Sequence, residues 1–391
     1  MSGRTPGPAG GQEASLGPNA TLVGRAGGRR SLATPALVLD LDALEHNLAL
    51  MADRARQAGL ALRPHAKGTK SVEIARRQVA LGAVGVCCAT LREVAVMRSG
   101  GVRDVLLTAP QAGEAAVARL ATLAADGPGL AAVVDGTDAA RALSRAVAAA
   151  GAELRTLVEA DAGQGRTGVR GPAAAVELAR LVAALPGLRY GGVQVYWGHL
   201  QHVATSTERR AKVEAQAVRL RAVVKALTGA GLAPRTVTGG GTGTFAIDAS
   251  LGLLTEIQAG SYAVLDRQYL AVDLSHPDGR HLRPALTVAA TVTSANDLGA
   301  VIVDAGLKAF ATEAGPPSPA DLALSGASYH FMGDEHGRLD APDGTPLPAP
   351  GAVLELLPPH CDPTINLYDR YHVVRGDVLV GIWAVDARGY D

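Results

Sequence analysis

The residues best suited to chemistry in this sequence are a lysine and a cluster of one tyrosine and two histidines. Lys67 ends the segment Arg63-Pro64-His65-Ala66-Lys67, and Tyr196, His199 and His202 share one seven-residue stretch. A desolvated lysine amine loses its charge and can form a Schiff base. Histidines near a tyrosine suit acid–base work or metal binding. Residue type alone leaves open that all four are ordinary surface side chains.

Two glycine-rich segments are typical of anion and cofactor sites. Residues 238–244 read Thr-Gly-Gly-Gly-Thr-Gly-Thr, which concentrates N–H groups and hydroxyls and predicts a phosphate cradle. No Gly-Lys-Ser/Thr follows, so the segment is not a P-loop. Gly260-Ser261-Tyr262 is a related small-residue turn. The glycines around Arg166 let this arginine reach a cofactor ring or a carboxylate, although a surface salt bridge is the alternative interpretation.

A third pattern is His360-Cys361-Asp362. In an extended segment residues i and i+2 point to the same face, so we expect His360 and Asp362 to point together, with Cys361 turned away. Nitrogen and oxygen donors favour Mn²⁺ or a similar divalent ion, whereas a cysteine ligand would favour Zn²⁺. A structural turn is the alternative interpretation of the same residues.

The elements that would position these residues follow a regular alternation of apolar runs and helical segments. Eight runs read as strands, namely residues 36–39, 60–63, 84–88, 104–108, 130–134, 154–159, 191–196 and 235–237. This count predicts an α/β fold with a (β/α)₈ TIM-like barrel, the alternative being a doubly wound open sheet. Beyond about residue 270, short strands between turn residues predict a second, mainly β domain.

We therefore expect a disordered tail over residues 1–30 with a short ordered piece near residues 20–24, a barrel over 31–272 and a β-strand domain over 273–391. Catalytic groups of a barrel lie at the C-terminal ends of its strands, where the barrel clusters fall. The 391 residues contain 37 Lys plus Arg and 37 Asp plus Glu, which argues against nucleic-acid and membrane-surface partners. Three cysteines predict a reducing, cytoplasmic location.

Taken in order, these motifs resemble the D-threonine aldolase and D-serine dehydratase group of fold-type III pyridoxal-phosphate enzymes, whose N-terminal domain is alanine racemase-like. The resemblance runs from about Thr34 to the C-terminus. Besides the segments above, it is carried by Thr34-Pro35-Ala36, Gln258-Ala259, Asp304-Ala305-Gly306-Leu307-Lys308 and Asp334-Glu335-His336-Gly337.

The resemblance implies a cofactor and a metal. Lys67 would hold pyridoxal 5′-phosphate covalently, and Arg166 would face its ring beside Tyr196. The phosphate would lie against Gly240, Gly241, Thr242, Gly260, Ser261 and Tyr262. His360 and Asp362 would hold a divalent ion, Mn²⁺ first, with Mg²⁺, Co²⁺ or Zn²⁺ as alternatives. His202 or a metal-bound water would be the base, with Tyr196 and His199 as further catalytic candidates. A homodimer is implied in the same way.

The implied activity is cleavage of D-threonine and related D-3-hydroxy-α-amino acids to glycine and an aldehyde. Dehydratases of the group tend to carry Cys where this chain has Asp362, which favours the aldolase. A D-serine or D-3-hydroxyaspartate dehydratase is the alternative, and a pyridoxal-phosphate-binding regulatory protein is the non-catalytic one. One departure from the group is Thr69, which replaces a common histidine.

Overall fold

The computed structural model describes residues 16–296, 299–342 and 344–390. Its internal contacts divide the chain into two units. The first, called the β unit, comprises residues 16–44 and Pro284–Arg388, and the second, called the barrel unit, comprises Glu45–Arg283 with residues 389–390. The predicted division at residues 31, 272 and 273 into separate domains stays a prediction.

The strands of both units are, in chain order, β1 (Ala36–Asp40), β2 (Ala61–Leu62), β3 (Val86–Cys88), β4 (Val105–Leu107), β5 (Leu130–Val134), β6 (Leu154–Ala160), β7 (Leu188–Val195), β8 (Thr236–Gly239), β9 (Glu256–Ile257), β10 (Leu286–Ser294), β11 (Ala300–Val303), β12 (Ser318–Pro319), β13 (Ser328–Phe331), β14 (Gly337–Asp340), β15 (Val353–Leu357), β16 (Arg370–Arg375) and β17 (Val378–Ala384). The helices are α1 (Leu41–Gln57), α2 (Val72–Ala80), α3 (Leu91–Ser99), α4 (Glu114–Ala125), α5 (Thr137–Ala149), α6 (Pro172–Ala184), α7 (Ser206–Gly229), α8 (Phe245–Leu251), α9 (Arg267–Leu270) and α10 (Cys361–Ile365). None of the helices in this described part of the chain combines the length and apolar character needed to cross a membrane.

The barrel unit is a closed parallel barrel. Eight strands are paired in the order β2-β9-β8-β7-β6-β5-β4-β3. The two ends of this sheet meet where Val84 N–H donates to Leu62 O at 2.9 Å and Cys87 N–H donates to Pro64 O at 2.8 Å. Closure confirms the predicted barrel and excludes the doubly wound alternative, because an open sheet keeps two free edges.

One strand assignment was wrong. Residues 36–39 were expected to open the barrel, but β1 pairs antiparallel with β10 and parallel with β16 in the β unit. The eighth barrel strand is β9, which has only two residues and begins with Glu256. An apolar run such as β1 fits any buried sheet position, whereas a short strand carrying a carboxylate has no apolar pattern to detect.

Ion pairs connect Arg63, which follows β2, to the N-terminal ends of neighbouring barrel strands. The guanidinium of Arg63 lies 2.7 Å from Asp104 Oδ1 and 2.9 Å from Glu256 Oε2. Arg155 reaches the same Asp104 oxygen at 3.0 Å. Such polar contacts at the N-terminal ends of strands serve stability and leave the other face for chemistry.

The β unit is a single sheet whose main strand order is β13-β14-β11-β10-β1-β16-β17, with β15 pairing to β10 and β12. Its core includes Val38, Ala289 and Val374. Residues 1–15 of the predicted tail lie outside the described residues. The short ordered piece expected near residues 20–24 corresponds to the 3-10 helix Ala20–Leu22, but order extends further than predicted, to the 3-10 helix Gly28–Ser31. Asn19 is 2% exposed and contacts His372 at 2.9 Å, which fixes this segment against β16.

Candidate active site at the barrel mouth

Lys67 lies directly after β2, at the C-terminal end of the barrel. It occupies the short 3-10 helix Ala66–Gly68 and is half-buried. Lys70 anchors the same segment, because its Nζ donates to the buried Glu93 Oε1 at 2.8 Å. Thr69, where the group often has histidine, is 2% exposed. The loop that carries Lys67 is therefore held from behind by a buried ion pair.

The glycine loop after β8 requires glycine at its turn. Gly240 has φ +67°, and a Cβ there would come within 2.3 Å of Asp248 Oδ2. A Cβ on Gly241 would come within 2.5 Å of Gln201 Oε1. Among the residues that the structure describes, no hydrogen bond uses the N–H groups of Gly240 or Thr242. The loop thus has backbone N–H groups available to an anion, and its role as a phosphate cradle stays a prediction.

The turn at Gly260-Ser261-Tyr262 joins this loop to the lysine segment. Tyr262 N–H donates to Thr242 Oγ1 at 3.0 Å, and the Tyr262 hydroxyl accepts from Gln78 Nε2 at 3.0 Å. A Cβ on Gly260 would lie 3.0 Å from His65 O. Burial raises the pKa of Tyr262, so its phenol stays neutral. Tyr262 therefore fixes the cradle with both of its polar groups.

Arg166 lies in the loop after β6. Asp161 Oδ1 shapes this loop by accepting from Gly163 N–H at 2.8 Å and Gly165 N–H at 3.0 Å. The exposed Arg166 guanidinium lies 5.6 Å from the centre of the Tyr196 ring, within the range of a cation–π contact. The sequence predicted both residues beside the cofactor ring, and the structure brings the two together.

Beneath that loop lies a buried carboxyl, Glu159, which is 3% exposed. Its Oε1 accepts from the Thr167 hydroxyl at 2.8 Å. Burial raises the pKa of Glu159, although the hydrogen bond from Thr167 and the charge of Arg166 oppose the rise. Burial therefore disfavours the charged form of this carboxyl.

The two histidines after β7 are both exposed. His202 packs its ring against Tyr269, with the ring centres 4.5 Å apart. Between them in sequence, Gln201 is 1% exposed and accepts from Gly243 N–H at 3.0 Å. The loop is also tied to the Arg166 loop, since Gly198 N–H donates to Gln164 Oε1 at 2.8 Å. Gln201, which lies within the predicted histidine motif, is thus buried and connects the loop after β7 to the glycine loop after β8.

These contacts link four loops around the barrel mouth, namely residues 65–68, 161–168, 196–202 and 240–262. Their residue types fit pyridoxal phosphate: an amine at the rim, a glycine cradle with open N–H donors, and an arginine beside an aromatic ring. If bound there, the cofactor would be held by Lys67, the Gly240–Thr242 turn and Arg166. Sequence reasoning included Thr244 in the glycine segment but missed Asp248, the buried carboxyl that accepts from the Thr244 hydroxyl. The only signal for Asp248 was a carboxylate four residues after the glycine loop.

The predicted metal pair lies in the β unit. His360 has extended backbone, but it caps α10, so Asp362 lies in the first turn of a helix. The expectation of an extended segment was therefore wrong, because the apparent strand ends at Leu357. His360 Nδ1 lies 2.6 Å from Glu313 Oε1, and Cys361 is buried.

The imidazole of His360 and the carboxylate of Asp362 are suitable ligand types for a hard or borderline divalent ion, but they are too few to complete its coordination. Within residues 16–296, 299–342 and 344–390, no group of three or more His, Cys, Asp or Glu side chains is arranged to hold a metal. One imidazole and one carboxylate would leave the other coordination positions to water or substrate oxygens. These two residues alone would therefore supply at most part of a metal site.

Two family models together span most of the chain. The alanine racemase N-terminal domain matches residues 39–268, and a putative serine dehydratase domain matches residues 285–374. Together with a D-threonine aldolase that is 42% identical over 91% of this chain, these matches show the family. The chain belongs to the D-threonine aldolase and D-serine dehydratase-like family. It is a pyridoxal-phosphate-dependent lyase of that family, with an alanine racemase-like fold.

Individual relatives of this lyase cover nearly its whole length. A D-threonine aldolase of an Arthrobacter species is 42% identical over 91% of this chain and 93% of the relative. A 3-hydroxy-D-aspartate aldolase of Paracoccus denitrificans is 38% identical over 91% and 92%. A D-threo-3-hydroxyaspartate dehydratase of a Delftia species is 30% identical over 90% and 97%. The crystal structure of D-threonine aldolase from Filomicrobium marinum superposes with a TM-score of 0.88 at 41% identity, over 91% of this chain and 96% of that one.

Proposed function

We propose that this lyase is a pyridoxal-phosphate- and divalent-metal-dependent aldolase that reversibly cleaves D-threonine and related D-3-hydroxy-α-amino acids to glycine and an aldehyde. The main supporting observation is that the Gly260–Tyr262 turn contacts both the Lys67 segment and the glycine cradle. A Cβ on Gly260 would lie 3.0 Å from His65 O, and Tyr262 N–H donates to Thr242 Oγ1. The 42% identity to a D-threonine aldolase supports the substrate class. Asp362, rather than cysteine, supports the aldolase over the dehydratase.

The residues of the chain divide the work. When bound, the cofactor supplies the electron sink for breaking the Cα–Cβ bond. Lys67 contributes the amine that anchors it and later displaces the product. The backbone N–H groups of Gly240 and Thr242 bind its phosphate. Arg166 donates to the ring side of the site.

Proton transfer falls to the histidine loop. His202 takes the proton from the β-hydroxyl of the substrate, which lets the carbon–carbon bond break and the aldehyde leave. His360 and Asp362 would hold the divalent ion, whose charge lowers the pKa of a bound hydroxyl. Tyr196 and His199 are the remaining candidates for delivering a proton to Cα.

Product analysis tests the proposal. D-threonine incubated with pyridoxal phosphate, with and without Mn²⁺, is expected to give glycine and acetaldehyde, faster with the ion. Production of a 2-oxo acid and ammonia instead would favour the dehydratase, for which the Delftia relative is the supporting observation. Cofactor binding without turnover of any D-3-hydroxy amino acid would contradict both.

The metal identity, the homodimer and the cytoplasmic location are proposed with the activity. Mn²⁺ is proposed first because the pair supplies one nitrogen and one oxygen donor. Cys87, Cys88 and Cys361 are buried and form no disulfide, as a reducing compartment would allow. A sedimentation measurement of the purified protein tests the homodimer.

A further inference from the structure

A buried carboxyl group lies directly beneath the predicted phosphate cradle. Asp248 on α8 is 1% exposed, and its Oδ2 is the atom that a Cβ on Gly240 would meet at 2.3 Å. Its Oδ1 is likewise buried. A carboxylate in this place would oppose the binding of a phosphate dianion, since like charges at close range repel in a low-dielectric interior.

A chain of hydrogen bonds connects this carboxyl to the cradle. Gly243 N–H donates to Gln201 Oε1 at 3.0 Å, and Gln201 Nε2 donates to Thr244 Oγ1 at 3.0 Å. The Thr244 hydroxyl in turn donates to Asp248 Oδ2 at 2.6 Å. Gln201 and Thr244 are both at most 1% exposed. The position of the loop therefore depends on a buried relay that ends at Asp248.

The charged groups on neighbouring elements are engaged elsewhere. Arg210 of α7 contacts Ser250 Oγ at 3.1 Å, and Glu256 of β9 lies 2.9 Å from Arg63. Burial raises the pKa of Asp248 to about 7, while Thr244, Trp197 and the Gly241 N–H oppose the rise. No cation contributes to that balance among the described residues. The carboxyl group therefore gains and loses its proton near neutral pH.

We infer that Asp248 is a positioning residue for the cofactor phosphate, and that the cradle binds this phosphate tightly only while Asp248 is a neutral carboxylic acid. The inference rests on the proposed function, because it takes the glycine loop as the phosphate site. Phosphate binding then takes up one proton at Asp248 when the free protein is ionised. Above neutral pH the affinity for the phosphate group falls as the pH rises, by up to about tenfold per pH unit.

The test compares two probes that differ only in the phosphate. Equilibrium affinities of pyridoxal 5′-phosphate and of pyridoxal are measured between pH 7 and pH 9 from the absorbance of the Lys67-bound form. The phosphate ester has its second pKa at about 6, so its own charge is constant over this range. The ratio of the two affinities cancels the ionisation of Lys67 and reports the phosphate contribution.

We expect the ratio for the wild type to fall by about tenfold or more between pH 7 and pH 9. Asp248→Asn, which cannot ionise, should give a ratio that does not change with pH. Asp138→Asn makes the same chemical change at an exposed site on α5 and should keep the wild-type slope. Thr244→Val removes a hydrogen bond that lowers the pKa of Asp248, so it should move the fall to higher pH.

A flat ratio in the wild type, or an unchanged slope in Asp248→Asn, would overturn the inference. Binding of pyridoxal by Asp248→Asn shows that the variant is folded; if it does not fold, the direction of the shift in Thr244→Val decides. If the wild type forms no Lys67-bound cofactor at all, the proposed function fails and this inference fails with it. If the cofactor binds but the ratio of the two affinities does not change with pH, the inference about Asp248 is wrong and the proposed function is unaffected.

Discussion

The two candidate ligand sites differ in how completely buried contacts define them. At the barrel mouth, the cradle is fixed by Gln201, Thr244 and Tyr262, each at most 1% exposed. In the β unit, His360 and Glu313 have side-chain exposures of 29% and 55%. A site fixed by buried side chains is preorganised, whereas a half-exposed pair depends on water and substrate to complete it. We therefore expect the geometry of the cofactor site to be determined by the fold. The geometry of the metal site should depend on the water and substrate ligands that complete it.

The largest effect should come from Lys67→Ala. Without the amine the cofactor is not covalently held, so we expect the visible absorbance of the bound form to disappear and kcat to fall by at least about 10³-fold. Lys212→Ala on α7, an exposed lysine, should change neither. Retention of the absorbance in Lys67→Ala would contradict the assignment of the amine.

Asp362→Ala should affect only the predicted metal site in the β unit. We expect the Mn²⁺-stimulated activity to fall on the order of 100-fold while the cofactor absorbance stays unchanged. Chelation of the wild type should give the same phenotype and be reversed by added Mn²⁺. The control is Asp377→Ala, which removes an exposed carboxylate of the same unit. Equal activity with and without chelator would argue against a catalytic ion.

Gly240→Ala probes how rigid the cradle is. Its left-handed φ costs about 1–2 kcal/mol for alanine, and the collision with Asp248 adds roughly 1–3 kcal/mol. Gly59 has nearly the same φ, +66° against +67°, with nothing within 4 Å of a Cβ. Gly59→Ala should therefore show the backbone cost alone. We expect cofactor affinity to fall about tenfold or more only in Gly240→Ala; equal affinities would mean that the loop adapts.

The smallest effect should come from Glu313→Gln. The carboxylate accepts from His360 Nδ1 and so leaves Nε2 as the metal-binding nitrogen, an arrangement that tunes ligand basicity. We expect Mn²⁺ affinity, measured by calorimetry, to fall about tenfold, with the cofactor absorbance unaffected. A larger loss, equal to that in Asp362→Ala, would mean that Glu313 is itself a ligand.

The sequence predicted the barrel and the chemistry-bearing loops, because glycine runs and strand–helix alternation are local signals. It misplaced β1 and missed β9, since sheet membership depends on partners far along the chain. Asp248 and Gln201 could not be recognised, because their importance comes from burial beneath a loop and not from neighbouring residues. For His360 and Asp362 the residue types were informative, but the expected extended backbone was wrong, because α10 begins between them.

The pairing of β1 with β10 and β16 has a consequence for biosynthesis. The barrel unit is continuous from Glu45 to Arg283, so it can fold as soon as those residues leave the ribosome. Strand β1 emerges earlier, yet its partners, ending with Arg375, emerge later. During translation β1, which is apolar over Ala36–Leu39, is therefore an exposed edge that needs protection from pairing with other chains. Messages truncated before β16 should yield aggregates and not a functional barrel.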